Sequence, residues 1–299
     1  MIRPLVRSMR PSQWAKNLFV LAALVFGRLL SDRVAVIHVA LAVVAFCFAS
    51  SAVYLFNDLR DREEDRKHPL KRLRPIAAGT LSVPAAVTAV VVLGLAAFAI
   101  AFQLGAAFLV ILAIYLVQNL LYTVWVKHMV ILDVMSISLG FVLRVLAGAV
   151  APPVHVPVSS WLFLCTIFLA LFLAFSKRRH EITLLAGAAA EQRKVLDHYS
   201  PAFLDQMINV VTASSVVAYA LYCVAPETVE KYHTQNLIYT IPMVLYGIFR
   251  YLYLMYQSPG ARNPTEAILK DPPFLINMVL WGLAVLWIVS LGGRAMGTV

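Results

Sequence analysis

Four side chains that close the second apolar run carry most of the legible chemistry. In the stretch Tyr54–Pro69, Asn57, Asp61 and Asp65 recur at i, i+4 and i+8, and Asp58, Asp61 and Asp65 at i, i+3 and i+7. On a helix both sets share one face, with Glu63 on the opposite side. Carboxylates crowded on one face repel one another unless a cation lies among them. A ligand set made only of oxygens suits Mg2+, which takes a few carboxylates together with substrate phosphates and retained waters; Mn2+ is the natural substitute. A solvated charged loop with internal Arg–Glu pairs is the competing reading, and it suits Arg60, Arg62, Glu63 and Glu64. It suits Asn57 and Asp58 less well, because they follow Val53-Tyr-Leu-Phe56 directly, at the edge of an apolar segment where charge is costly.

The next residues, His68-Pro-Leu-Lys-Arg-Leu-Arg-Pro-Ile-Ala-Ala-Gly79, add Lys71, Arg72 and Arg74. Guanidinium groups beside an acidic face could clamp a metal-complexed diphosphate from the other side. Ordinary cytoplasmic anchoring would explain each of these cations taken singly.

The elements that must position these groups are membrane spans. Of the 299 residues, 61% are hydrophobic and 13% charged, against ~45–50% and ~25% in soluble domains. That composition excludes soluble, disordered and disulfide-framework classes. A bilayer core of ~30 Å takes about 20 apolar residues per helix. Nine runs qualify, at 14–30, 36–57, 82–102, 105–125, 130–150, 158–176, 204–225, 236–256 and 274–292. The third and fourth are separated only by Gln103, Leu104 and Gly105, which predicts a tight hairpin, and Pro152, Pro153 and Pro157 mark a turn between the fifth and sixth. The expectation is an all-α, multi-pass bundle of nine helices. No boundary splits it, and no cleavable leader precedes it, since the first apolar run continues past Arg28.

The formal charge of +10 is not spread evenly. An odd helix count places the termini on opposite sides. Eighteen Lys and Arg then fall on the side of the N-terminus, among them Arg193, Lys194, Arg262 and Lys270, and four on the other, with Lys16, Arg144 and Arg250 in or beside spans. The positive-inside rule makes the N-terminus cytoplasmic, in an inner (plasma) membrane protein. Cations gathered at one membrane face favour lipid headgroups and phosphate-bearing substrates over nucleic acid. Cys47, Cys165 and Cys223 read as buried thiols, and the histidines lack the spacing of a zinc site.

Asn57-Asp58-x-x-Asp61-x-x-x-Asp65 followed by Arg74-Pro-Ile-Ala-Ala-Gly79, within nine predicted spans, resembles the UbiA superfamily of intramembrane prenyltransferases. Within it the chain is similar to the polyprenyl-phosphate phosphoribosyltransferases. Arg10-Pro-Ser-Gln-Trp-Ala-Lys-Asn17, the 57–79 segment, Lys127-His128 with Leu143-Arg-Val-Leu-Ala-Gly148, Lys177-Arg178 with Glu181, and Arg250-Tyr251 with Pro264 and Glu266 carry that closer likeness. Aromatic prenyltransferases of the superfamily have a second Asp-x-x-x-Asp after the sixth span. Here that place reads Ser176-Lys-Arg-Arg-His-Glu181. Cations in place of acids fit a donor as anionic as phosphoribosyl pyrophosphate, with about five negative charges against roughly three for a prenyl diphosphate.

The resemblance implies a single UbiA-like transmembrane domain over 1–299 with a cytoplasmic-side active site. It implies transfer of a 5-phosphoribosyl group to a decaprenyl-type polyprenyl phosphate, with Mg2+ on Asn57, Asp58, Asp61 and Asp65. Lys16, Asn17, Tyr54, Lys71, Arg72, Arg74, Lys177, Arg178 and Glu181 become substrate-contacting candidates. Tyr122 and Lys127 close the fourth span on the same side, although a snorkelling lysine would look the same. Asp133 could meet Lys127 or the donor's hydroxyls. Arg144, inside the fifth span, would serve the lipid phosphate or, more simply, a structural pairing. A homo-oligomer is compatible with all of this. Two rivals stand beside this reading. A UbiA-type aromatic prenyltransferase would need the missing second acidic cluster, and a transporter would need charges along a central pathway.

Overall fold

In the computed structural model, which describes residues 2–69, 71–185, 198–257 and 271–294, every regular element is helical. The elements are α1 (Ile2–Met9), a 3-10 segment (Pro11–Leu21), α2 (Ala22–Phe26), α3 (Arg33–Arg60), α4 (Arg62–Lys67), α5 (Val83–Leu104), α6 (Ala106–Val124), α7 (Leu132–Val150), α8 (Ser160–Leu185), α9 (Pro201–Val224), α10 (Pro226–Tyr232), α11 (Ile241–Gln257) and α12 (Pro272–Arg294). Among the described residues, eight helices are long and apolar enough to cross a membrane. The predicted run at 14–30 is helical but irregular. It winds as a 3-10 helix, continues as the five residues of α2, and ends at Arg28, where φ is 56°. The nine-helix reading therefore keeps its first member only as a short, bent piece.

By packing, the chain forms two compact units, Met1–Lys127 with Leu139–Pro157, and His128–Ser138 with Val158–Val299. α7 contributes residues to both. In the first unit α3 is the spine. Ala35, Val39, Ala42, Phe46 and Ala49 recur at alternating steps of four and three, and all are essentially inaccessible. The small side chains in this stripe let α5 approach closely, in the manner of helix contacts inside membranes. Asp32 starts the helix by accepting from the backbone N–H groups of Val34 and Ala35. The predicted hairpin between the third and fourth runs is present. α5 ends at Leu104, Gly105 takes φ 101°, and α6 begins at Ala106.

In the second unit α8 packs along α9, around a core of Phe172, Phe175, Leu204, Ile208, Val211 and Tyr251. Arg250 of α11 reaches Asp271, ahead of α12, through two nitrogens at 3.1 and 2.7 Å, and holds that carboxyl below the usual range. Arg193, Lys194, Arg262, Pro264, Glu266 and Lys270 lie outside the described residues.

One glycine shows why the irregular first segment stays in place. A Cβ on Gly148 of α7 would fall 2.0 Å from the Val20 carbonyl oxygen, so only hydrogen lets the 3-10 segment lie against α7. Gly148→Ala is expected to cost about 1–3 kcal/mol through overpacking. Thermal unfolding in detergent should show a midpoint several degrees below wild type, and an unchanged midpoint would contradict this contact.

Candidate active site

The acidic set sits where α3 gives way to α4. Asp61 is the residue between the two helices, yet its N–H still bonds the Asn57 carbonyl at 2.9 Å, and the Asp65 N–H bonds the Asp61 carbonyl at 2.8 Å. Helical phase is thus kept across the break, and the predicted single face survives. Glu63 points away, as the spacing implies, and pairs outside with Arg66 at 3.0 Å.

Asp58 and Asp65 are 2% and 3% exposed, so each needs a counter-charge close by. Arg74 supplies one to both, with Nη1 3.1 Å from Asp58 Oδ1 and 2.6 Å from Asp65 Oδ2. Arg10 adds a second to Asp58 at 2.5 Å, with its guanidinium lying over the Tyr54 ring. Lys127 Nζ meets Asp61 Oδ1 at 2.8 Å. Each cation is delivered by its own segment. Arg10 has a left-handed backbone, φ 55°, immediately before Pro11. Arg74 opens a turn in which Ile76 and Leu81 plug a small core with Leu55 and Ala86, and Gly79 takes φ 75°. Lys127 lies in the short 3-10 turn that follows α6.

Among the described residues no three of His, Cys, Asp and Glu converge in a metal-holding group; Arg74 bridges Asp58 and Asp65, and Lys127 pairs with Asp61. The donor chemistry still fits a hard divalent cation. Asn57, Asp58, Asp61 and Asp65 offer only oxygen, on one face, and their present partners are side chains that can turn to another anion.

A second group in the first unit has a different balance. Arg144 is 6% exposed within α7. Its Nε bonds Asn17 Oδ1 at 2.8 Å, Nη1 the Gly140 carbonyl at 2.6 Å and Nη2 the Tyr115 hydroxyl at 2.9 Å. The rings of Tyr115, Phe141 and Phe46 lie around it. Every one of these partners is neutral. Lys16 is half-buried, within electrostatic reach of Arg144 and Arg10.

In the second unit Arg178, 1% exposed, bonds Asp133 Oδ2 through Nε at 2.8 Å and Glu181 through Nη1 at 2.6 Å. Lys177 is exposed beside Glu181 at 3.8 Å. The Tyr199 hydroxyl donates to Asp133 Oδ1 at 2.7 Å and accepts from the Ile131 N–H at 2.6 Å. Burial raises the Tyr199 phenol above its usual range. Asp133 thus takes Arg178, while Lys127, one of its two expected partners, takes Asp61.

Of the other candidates, Asn57, Tyr54, Lys71 and Tyr122 are half-buried and Arg72 is exposed. Three residues escaped the sequence reading as site members. Arg10 stood in a quoted stretch but was counted only as an anchor. Tyr115 and Tyr199 have no spacing that links them to a charge far along the chain, so only the fold reveals them.

The chain is similar over most of its length to known proteins. A model of the UbiA prenyltransferase family matches residues 17–279. The chain is 34% identical to decaprenyl-phosphate phosphoribosyltransferase of Mycolicibacterium smegmatis, over 94% of this chain and 91% of that protein. It is 35% identical to the enzyme of the same name from Corynebacterium glutamicum, over 95% and 86%. Among solved structures it superposes on a UbiA homologue from Archaeoglobus fulgidus bound to GPP and Mg2+, with a TM-score of 0.70, 19% identity, and coverage of 99% of this chain and 100% of that one. It also superposes on a digeranylgeranylglyceryl phosphate synthase structure with a TM-score of 0.65, 16% identity, and coverage of 96% and 98%.

The pairing around Arg74 sets an expectation for two neighbours of equal charge. Arg74→Met leaves Asp58 and Asp65 short of a partner, and breaking such a buried pair costs about 3 kcal/mol. Arg72→Met removes an exposed side chain and should stay within ~0.5 kcal/mol. Thermal unfolding of the two variants side by side checks this, and equal midpoints would show that Arg74 does not hold the acidic pair.

Proposed function

Because the chain belongs to the UbiA prenyltransferase family, we propose that it transfers the 5-phosphoribosyl group of phosphoribosyl pyrophosphate to a decaprenyl-type polyprenyl phosphate and releases diphosphate. The observation that carries the proposal is nearly full-length similarity, at 33–35% identity, to enzymes of that name. The chain is a transferase embedded in a membrane by multiple apolar helices. Charge asymmetry supports an inner (plasma) membrane location with the N-terminus and the reaction on the cytoplasmic side. The whole chain, 1–299, is taken to act as one functional domain.

The residues divide the work by charge. Asn57, Asp58, Asp61 and Asp65 would hold Mg2+, with Mn2+ as a substitute. The metal, when bound, neutralises the departing diphosphate. Arg10, Arg74 and Lys127 pair with those carboxylates, and the donor's phosphate oxygens are alternative partners for the same cations. Lys71 and Arg72 lie on the same loop as Arg74 and extend the cationic surface toward the donor. Lys177 and Arg178 hold further donor phosphate, Arg178 from a guanidinium fixed by Asp133 and Glu181.

Lys16 and Arg144, with Asn17 and Tyr54 nearby, serve the acceptor's phosphate. A buried guanidinium whose partners are all neutral has charge left to offer an anion. Tyr122, near the end of α6, is a further candidate for substrate contact. The acceptor phosphate is already anionic near neutral pH, so it attacks C1 without a strong general base, and the single displacement inverts that carbon. Opposing phosphates are brought together by the surrounding cations.

The assay uses purified protein, Mg2+ and labelled phosphoribosyl pyrophosphate. Label should enter the organic phase only when polyprenyl phosphate is present, and EDTA should stop it. Asp61→Asn should abolish transfer while helicity by circular dichroism stays at the wild-type level. Polyprenyl diphosphate with 4-hydroxybenzoate should give no product. Prenylation of the aromatic acceptor with no use of the ribosyl donor would overturn the substrate assignment and leave the fold intact.

A further inference from the structure

We propose that Tyr199 is a positioning residue of the donor site, its hydroxyl fixing the Asp133 carboxylate and, through it, the Arg178 guanidinium. The proposal rests on the reading above, in which Arg178 serves the donor phosphates. Three observations converge on this one hydroxyl.

The first is the division of Asp133. This carboxylate is fully buried in the first turn of α7, and its two oxygens have different partners. Oδ1 takes the Tyr199 hydroxyl at 2.7 Å and Oδ2 takes Arg178 Nε at 2.8 Å. With one oxygen occupied by the phenol, Asp133 meets the guanidinium through the other. Without the phenol, the carboxylate is free to rotate into a two-oxygen grip on Arg178, the stronger arrangement for this pair. The guanidinium would then be drawn toward Asp133 and away from a phosphate.

The second is the backbone of Ile131. A β-branched residue at φ 69° is strained, by roughly 1–3 kcal/mol. Its side chain is 42% exposed, so burial does not explain the conformation. Its N–H bonds the Tyr199 hydroxyl at 2.6 Å, while its carbonyl accepts from Val134 and Met135 in the first turn of α7. The strained turn therefore places Asp133 against the same hydroxyl that holds the turn.

The third is the rigidity of the ring. Tyr199 is 4% exposed in the core built on α8 and α9, and it packs against Phe203. The next residue, Ser200, caps α9 through the Phe203 N–H. The hydroxyl is thus held by a helix start, and burial keeps it protonated, as a donor to Asp133 must be.

The test compares wild type, Tyr199→Phe and the double variant Tyr199→Phe with Ile131→Gly in the label-transfer assay. In Tyr199→Phe the KM for phosphoribosyl pyrophosphate should rise about tenfold, as loss of a bond to a charged group implies. The KM for polyprenyl phosphate should stay within about twofold over the same comparison. Glycine accepts the left-handed backbone without strain, so the double variant should regain thermal stability and keep the donor defect. If glycine also restores the donor KM, or both substrates are affected alike, Tyr199 only holds the turn and the proposal fails. Wild type separates the two levels. No transfer by wild type overturns the reading of the function. Transfer by wild type with an unchanged donor KM in Tyr199→Phe overturns this proposal alone.

Discussion

Two carboxylates, Asp58 in the last turn of α3 and Asp65 in α4, are buried where an unpaired charge costs several kcal/mol. Their neutralisation by Arg74 and Arg10 is the constraint around which the first unit is organised. Arg74 can span both acids only because Ile76 and Leu81 seat its loop on Leu55 and Ala86. Arg10 can reach Asp58 only because the chain turns through a left-handed residue before Pro11. The 3-10 segment that follows lies against α7 because Gly148 has no side chain. Features that look unrelated along the sequence thus serve one electrostatic requirement.

The chain treats its buried cations in two ways. Arg74 and Arg10 are matched to carboxylates of the acidic face, whereas Arg144 is caged by an amide, a carbonyl, a phenol and aromatic faces. Matched pairs are nearly neutral and store little attraction for a further anion unless a metal takes over the carboxylates. A neutral cage stabilises the guanidinium without cancelling its charge. In the proposed function this separates the sites: the matched cations answer a metal-bound donor, and the caged one answers a single lipid phosphate.

Much of this was legible in the sequence because it depends on period. The acidic face from Asn57 to Asp65 and the Gly105 hairpin both follow from spacing alone. The even helical phase across Asp61 explains why the face holds although α3 ends at Arg60. The run at 14–30 looked like an ordinary span, but a left-handed start and close approach to α7 make it irregular, and hydropathy is blind to both. Arg10 as a partner of Asp58 and Tyr199 as a partner of Asp133 are pairings over 48 and 66 residues. No local pattern encodes such distances, so only the packed structure brings them into view.

The central claim is that Asn57, Asp58, Asp61 and Asp65 hold a divalent metal jointly with the donor's diphosphate, so that metal and donor bind together. Mn2+ binding followed by electron paramagnetic resonance, with and without phosphoribosyl pyrophosphate, tests it directly. Free protein should leave most of the Mn2+ signal in its aquo form, and adding the donor should convert it to a protein-bound form. Asp65→Asn should remove that conversion beyond what the donor alone produces in solution. Tight stoichiometric Mn2+ binding by the free protein, unaffected by donor, would contradict the account.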